Sequence, residues 1–171
     1  MAAVNLNYGV ATSLTVTNLA TLASANYATS NAFNATTNKP IDVLVELALT
    51  TGTVSSTNPQ AVIFAISSFN NSNYSSQNTS TTDTNHDGDM KLVGVMPLKV
   101  SSTAERSPAF SVASAFGGVL PPYFKIVVKN DSGAAWSSAS MQTIEVNATG
   151  GIFIILTSSI QNVPDEPAAP D

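Results

Sequence analysis

The chain contains no cysteine. No disulfide can staple it and no thiol can serve as nucleophile or metal ligand, so its fold is indifferent to the redox state of its compartment. Histidine occurs once, at His86. A general base of the Ser-His-Asp kind must be fixed by packing and oriented by an acid, and a lone histidine in a polar stretch has neither. Charge is also scarce. Only 10% of residues are Asp, Glu, Lys or Arg, against about 25% in an average soluble domain. The six basic residues are spread from Lys39 to Lys129, so no cluster exists to neutralise a run of phosphates, and no nucleic-acid partner is expected. The longest apolar stretch lies around Ile152–Leu156, far short of the ~20 residues that span a bilayer, so no membrane attachment is expected. The opening MAAVNLNYGV has neither a positive n-region nor a continuous apolar run, which predicts no secretory signal. Helical periodicity is weak everywhere, and the best candidate is the short stretch Asn18–Ala25.

Ser, Thr, Asn and Ala fill the space left by charge, and the net charge is −5. Short neutral polar side chains lose little rotamer entropy and little hydration when covered, so such a surface suits packing against other proteins. With 171 residues, 43% of them hydrophobic, a single domain can bury roughly 70% of the surface its unfolded chain exposes. It needs neither disulfide nor metal to fold.

Strand patterns dominate. IDVLVELAL places Ile41, Val43, Val45, Leu47 and Leu49 on one face and Asp42 and Glu46 on the other. Gln60–Ser67 is apolar on both faces, with Val62, Phe64 and Ile66 opposite Ala61, Ile63 and Ala65, and reads as a central strand. YFKIVVK alternates again, Phe124, Ile126 and Val128 inward and Lys125 and Lys129 outward. Gln142–Asn147 and Ile152–Thr157 flank Gly150-Gly151, which predicts a hairpin. Lys91–Val95, Ala109–Ala113, Ser13–Thr17 and Ala28–Phe33 are shorter strand candidates. Turn chemistry separates them, at Asn38-Lys39-Pro40, Thr57-Asn58-Pro59, Gly117-Gly118, Pro121-Pro122 and Asn130-Asp131-Ser132-Gly133 among others. Eight or nine short strands so punctuated predict an all-β fold: an antiparallel β-sandwich of jelly-roll or Greek-key type. The expected organisation is a sandwich domain over residues 1–160 with an N-terminal arm, then a tail over 161–171 that is acidic and holds three prolines. Residues 67–80, SSFNNSNYSSQNTS, read as an exposed loop.

One stretch has the spelling of a metal site. In TDTNHDGD, Asp83, Asn85 and Asp87 occupy positions 1, 3 and 5 of a calcium-binding loop, Gly88 position 6, and Asp89 would offer its carbonyl at position 7. Position 12, which should be a bidentate Glu, is Gly94, and the flank Met90–Val95 reads as a strand rather than a helix. The competing reading is a turn, because Asp-Gly is a strong hairpin signal and Asn and Asp bond their own backbone in tight turns. The turn is the preferred expectation and calcium the alternative. No other cofactor is implied.

Catalysis finds little to work with. Asp42 and Glu46 share a strand face, but four residues of strand separate them by about 13 Å, beyond either glycosidase geometry. No phosphate-cradling glycine loop and no zinc-ligand spacing is present, and the chain is not expected to be an enzyme.

The stretch AFGGVLPPYFKIVVKNDSGAAW, Ala115–Trp136, carries a Gly-Gly turn, Leu-Pro, an aromatic-led strand, Asn-x-x-Gly and then small residues. With IDVLVELALTTGT, a second strand and a Ser/Asn/Tyr loop before it, this layout resembles tailed-bacteriophage virion structural proteins, over roughly Ala28 to Ser158. The resemblance implies a jelly-roll-like sandwich built into a phage particle, such as a capsid decoration (cement) protein: made in the host cytoplasm, located on the capsid surface, bound to the major capsid protein, and a homo-oligomer, most simply a trimer. It transfers no catalytic motif, and the TDTNHDGD stretch is not part of it. Two alternatives stand beside it. One is a tail, collar or fibre component. The other is a carbohydrate-binding module using calcium at Asp83–Asp89 and aromatic platforms among Trp136, Tyr74 and Tyr123.

Overall fold

The computed structural model describes residues 5–54, 56–75, 87–99 and 102–149. Two antiparallel sheets pack face to face. The first contains β1 (Asn5–Tyr8), β2 (Thr12–Leu14), β5 (Asp42–Thr51), β8 (Ala104–Arg106), β9 (Phe110–Ser111) and β11 (Trp136–Thr149). The second contains β3 (Tyr27–Thr29), β4 (Phe33–Asn34), β6 (Gln60–Ser68), β7 (Lys91–Pro97) and β10 (Tyr123–Asp131). Short helical turns α1 (Ala35–Asn38) and α2 (Val112–Ala115) and 3₁₀ turns at Leu19–Thr21 and Asp87–Asp89 join them.

The eleven strands fall on eight lines. β1 and β2 both run along one edge of β11, β3 and β4 along one edge of β10, and β8 and β9 along one edge of β5. In chain order the lines pair as nested hairpins: β6 with β7, β5 with β8 and β9, β3 and β4 with β10, β1 and β2 with β11. A long antiparallel ribbon rolled in this way is a jelly roll, with neighbours β1/β2–β11–β5–β8/β9 in one sheet and β3/β4–β10–β6–β7 in the other. Each double line is broken because its register slips by one residue. Tyr8 faces Val146 but Thr12 faces Thr143, Thr29 faces Val127 but Phe33 faces Phe124, and Arg106 faces Ala48 but Phe110 faces Val45. These are β-bulges, one extra residue on the outer strand.

Two of the bulges are repaired by a buried serine in the same way. Ser30 N–H donates to Ile126 O at 2.8 Å while Ile126 N–H donates to Ser30 Oγ at 2.9 Å. Ser107 N–H donates to Leu47 O at 2.8 Å while Leu47 N–H donates to Ser107 Oγ at 3.0 Å. In each case the hydroxyl stands where a ladder carbonyl would have been, so the central strand's buried amide keeps a partner.

The core lies between the sheets, where alternation along each strand delivers Val43, Val45, Leu47 and Leu49 from β5, Ala61, Ile63 and Ala65 from β6, and Phe124, Ile126 and Val128 from β10. The Phe33 and Phe124 rings stack at 4.9 Å. β6 is central, paired with β10 and β7, and its other face is buried as well. There Val62, Phe64 and Ile66 join Tyr27, Met90 and Val127 in a second apolar cluster, with Tyr74 packed against it. Lys125 Nζ lies 4.4 Å from the centre of the Tyr74 ring and Lys129 Nζ 5.5 Å from that of Tyr27. Both stems cover apolar surface while their charges meet ring faces.

Three expectations need correction. Ile41 precedes β5 and is exposed; its N–H donates to Val146 O, but its side chain has left the core row. Ala109–Ala113 is a strand only at Phe110–Ser111, because Ser111 Oγ accepts from Ser114 N–H at 3.0 Å and Asp42 Oδ1 from Ala113 N–H at 2.8 Å, which caps and turns the chain into α2. Asn18–Ala25 supplies only the 3₁₀ turn Leu19–Thr21. Of the hairpin expected at Gly150-Gly151, the arm 142–147 lies within β11, while the glycine pair and the arm 152–157 lie outside the described residues. Residues 142–146 of β11 already pair with β5 on one edge, and the other edge is lined by the β1–β2 line. Residues 150–171, including the expected tail, lie outside the described ones.

Candidate interaction surfaces

The stretch Ala115–Trp136 folds as one unit around β10. Gly117 and Gly118, both at positive φ, end α2, and Gly118 N–H donates back to Ala113 O at 2.8 Å. After β10, Asn130 organises the next turn from a fully buried position. Its Nδ2 donates to Leu22 O at 2.7 Å and Ala134 O at 2.8 Å, and its Oδ1 accepts from Ser132 N–H at 3.0 Å and Ser132 Oγ at 2.6 Å. Gly133, at φ 80, lets the chain reverse. Trp136 then enters the core at 2% exposure, its backbone N–H donating to Leu22 O at 3.1 Å. The Asn-x-x-Gly pattern is thus a turn locked by one buried amide, and its polar groups are spent on the fold.

Asp83 and Asn85 of the candidate calcium loop, and His86 between them and the turn, lie outside the described residues. Asp87 and Asp89 belong to the 3₁₀ turn Asp87–Asp89, which leads directly into β7. Gly94, at the position where a calcium loop needs its closing carboxylate, lies inside β7 beneath the ring of Phe110: a Cβ there would come 2.4 Å from Phe110 Cδ1. Among the described residues no three His, Cys, Asp or Glu side chains gather as a metal site.

Asp42 and Glu46 stand on the outer face of β5, each occupied. Asp42 Oδ1 accepts from Val43 N–H and Ala113 N–H, and Glu46 Oε1 pairs with Arg106 Nη1. Glu145 accepts from Asn38 Nδ2 and Glu105 from Lys99 N–H. These carboxylates therefore hold turns and strand ends. Of the aromatics, Trp136 is in the core and cannot be a sugar platform. Tyr74 is half-buried against the second cluster, its hydroxyl bonded to Asn71 Oδ1 at 2.7 Å. Desolvation, with Tyr123 adding to it, holds its phenol above the ordinary value.

What remains is surface. The outer face of the first sheet carries small or apolar side chains between its few paired charges: Leu44, Ala48 and Thr50 on β5, Ser138, Ser140 and Ile144 on β11. It continues onto β1, where Leu6 and Tyr8 face Ala148 and Val146 and are 56% and 63% exposed; Val10 follows at 86%. The Asn-Leu-Asn-Tyr alternation is the sequence signal that would have found β1. A separate open cleft of about 470 Å³ lies between α1 and the segment leading to β10, lined by Ala35, Pro40, Ile41, Val119, Leu120 and Pro122. No helix among the described residues is long and apolar enough to cross a membrane. Compared with known proteins, the chain matches no family model and no curated sequence.

Proposed function

We propose that this chain is a structural protein of a virus particle, a capsid decoration protein of a tailed phage that binds the major capsid protein on the outside of the head as a homotrimer. The observation that carries the reading is the outer face of the first sheet. It is broad, nearly free of unpaired charge, and made of short neutral and apolar side chains that run onto the exposed Leu6 and Tyr8. Covering such a face costs little desolvation. The resemblance of Ala115–Trp136 and the strands before it to phage virion proteins supports the same reading, and jelly rolls recur in viral capsids.

The mechanism is passive. Each 1,000 Å² of apolar interface is worth a gross ~25 kcal/mol, of which only a small part survives the ordering and desolvation costs of association. Repetition over a lattice multiplies these weak contacts, and bridged capsomers resist the pressure of packaged DNA. The test is co-sedimentation of the purified protein with capsid shells that lack it. Saturable binding at hundreds of copies per shell, with a rise in the shell's melting temperature, is expected. Absence of binding to shells overturns the reading, and a stoichiometry of only a few copies per particle transfers the protein to the tail, collar or fibre.

A further inference from the structure

We infer that the edge of β1 accepts the apolar segment Ile152–Leu156 of a second copy of this chain, so that each copy adds a strand to its neighbour. The inference rests on the oligomer in the reading above and supplies its joint.

β1 is the last strand of its sheet among the described residues. Gly9 N–H donates to Glu145 O at 2.8 Å. Antiparallel alternation then turns the amides and carbonyls of Asn5 and Asn7 toward β11 and those of Leu6 and Tyr8 away from it, along the outer edge. An edge strand that presents such groups beside exposed Leu6, Tyr8 and Val10 is a template for another strand. Main-chain bonds would give the affinity of that pairing and alternate side chains its specificity.

The chain carries a segment that needs such a site. After Thr149, Gly150-Gly151 leads to five consecutive apolar residues, Ile-Phe-Ile-Ile-Leu. A run apolar on both faces requires a strand neighbour and cover on each side. Along β11 it finds an edge that β5 leaves unpaired only opposite residues 147–149. A two-residue turn would set residues 155–157 opposite residues 146–144, which β5 and the β1–β2 line already flank. Nor does it reach the outer edge of its own β1 easily. Thr149 faces Asn5, so the chain would have to reverse and step over β1, about 9.6 Å or two strand spacings, within the ~11 Å that three fully extended residues span. A second copy has no such constraint. Donation from one copy's end to the next copy's β1 is a head-to-tail contact, and such contacts close into rings when the rotation allows, as a trimer requires.

The test compares the full chain with a variant lacking residues 150–171 and with Leu6→Pro. Proline at position 6 removes an amide that faces away from β11, so it blocks the added strand and leaves the ladder to β11 intact. By light scattering the full chain is expected at three times the monomer mass and both variants at monomer mass. Unchanged emission of Trp136, the single tryptophan, reports that their core is retained. Hydrogen exchange should show the Leu6 and Tyr8 amides protected in the full chain and fast in the truncated one. An oligomer that survives truncation or Leu6→Pro overturns the inference. So does a monomeric full chain whose melting temperature falls on truncation, which would mean docking within one chain. Shell co-sedimentation is scored separately: a trimer that ignores shells sinks the virion reading alone, and monomeric variants alongside shell binding by the full chain leave it standing.

Discussion

The hydroxyl of Ser107 takes the place of a ladder carbonyl for Leu47, whose amide lies at the centre of the core strand β5. Leu47 N–H reaches Ser107 Oγ at 3.0 Å and Leu47 O accepts from Ser107 N–H at 2.8 Å. Ser30 does the same for Ile126 on β10. Both serines are buried. Replacing either with alanine leaves a buried amide without its acceptor, which costs about 1–3 kcal/mol. Ser30→Ala and Ser107→Ala should each lower the unfolding free energy by that amount, seen as a lower urea midpoint at unchanged slope. Exposed serines such as Ser138 should show nothing comparable when replaced. A loss no larger than that of Ser138→Ala would mean that water or a shifted bulge serves the amide equally well.

Gly94 and Phe110 close one side of the sandwich, where β7 of one sheet meets β9 of the other. Because the ring fills the space a side chain would occupy, Gly94→Ala forces the phenyl group out and should cost about 1–3 kcal/mol. In a Phe110→Leu background the same substitution should cost less, and the double-mutant cycle measures that coupling. Additive losses would show that Gly94 matters for its backbone and not for the ring above it.

Chelation should leave the protein's stability unchanged. The position that would close a calcium shell is Gly94, already committed to packing in β7. A ligand that binds only the native state raises the melting temperature by mass action. Scans in EDTA and in millimolar calcium are therefore expected to coincide. A rise with calcium would show that the loop finds its missing oxygens elsewhere.

Tyr74 gives the fold an alkaline limit. Its phenol titrates above the ordinary value because burial, and then Tyr123, disfavour the phenolate. The folded state therefore holds the proton more tightly than the unfolded chain does. This contribution is fully present below the unfolded value and is lost as pH rises from there through the folded one. Wild type should lose stability over that alkaline window more steeply than Tyr74→Phe, which has no proton to lose. Parallel pH profiles for the two proteins would remove Tyr74 as the cause.

The strand faces of β5, β6 and β10 were legible in the sequence because period-two alternation survives any register: Val43, Val45, Leu47 and Leu49 point one way whatever they pair with. The all-β class followed, but eight or nine strands were expected where the described residues form eleven, because the bulges split three of the eight lines in two. The scarcity of charge and the want of a histidine or cysteine cluster were equally composition-level facts. Which strand lies beside which was decided only in three dimensions, since β1 and β11 meet across almost the whole chain and no local pattern encodes that pairing. The same is true of Ser30, Ser107 and Gly94. In a chain crowded with serine nothing marks the two that repair a ladder, and a strand glycine does not announce the ring above it. Trp136 could have been a platform or a core anchor until the fold placed it inside. Side-chain chemistry and periodicity are local properties and can be read in order. Registers, bulges and the occupation of both edges of β11 arise from contacts between distant segments, and only the assembled structure fixes them.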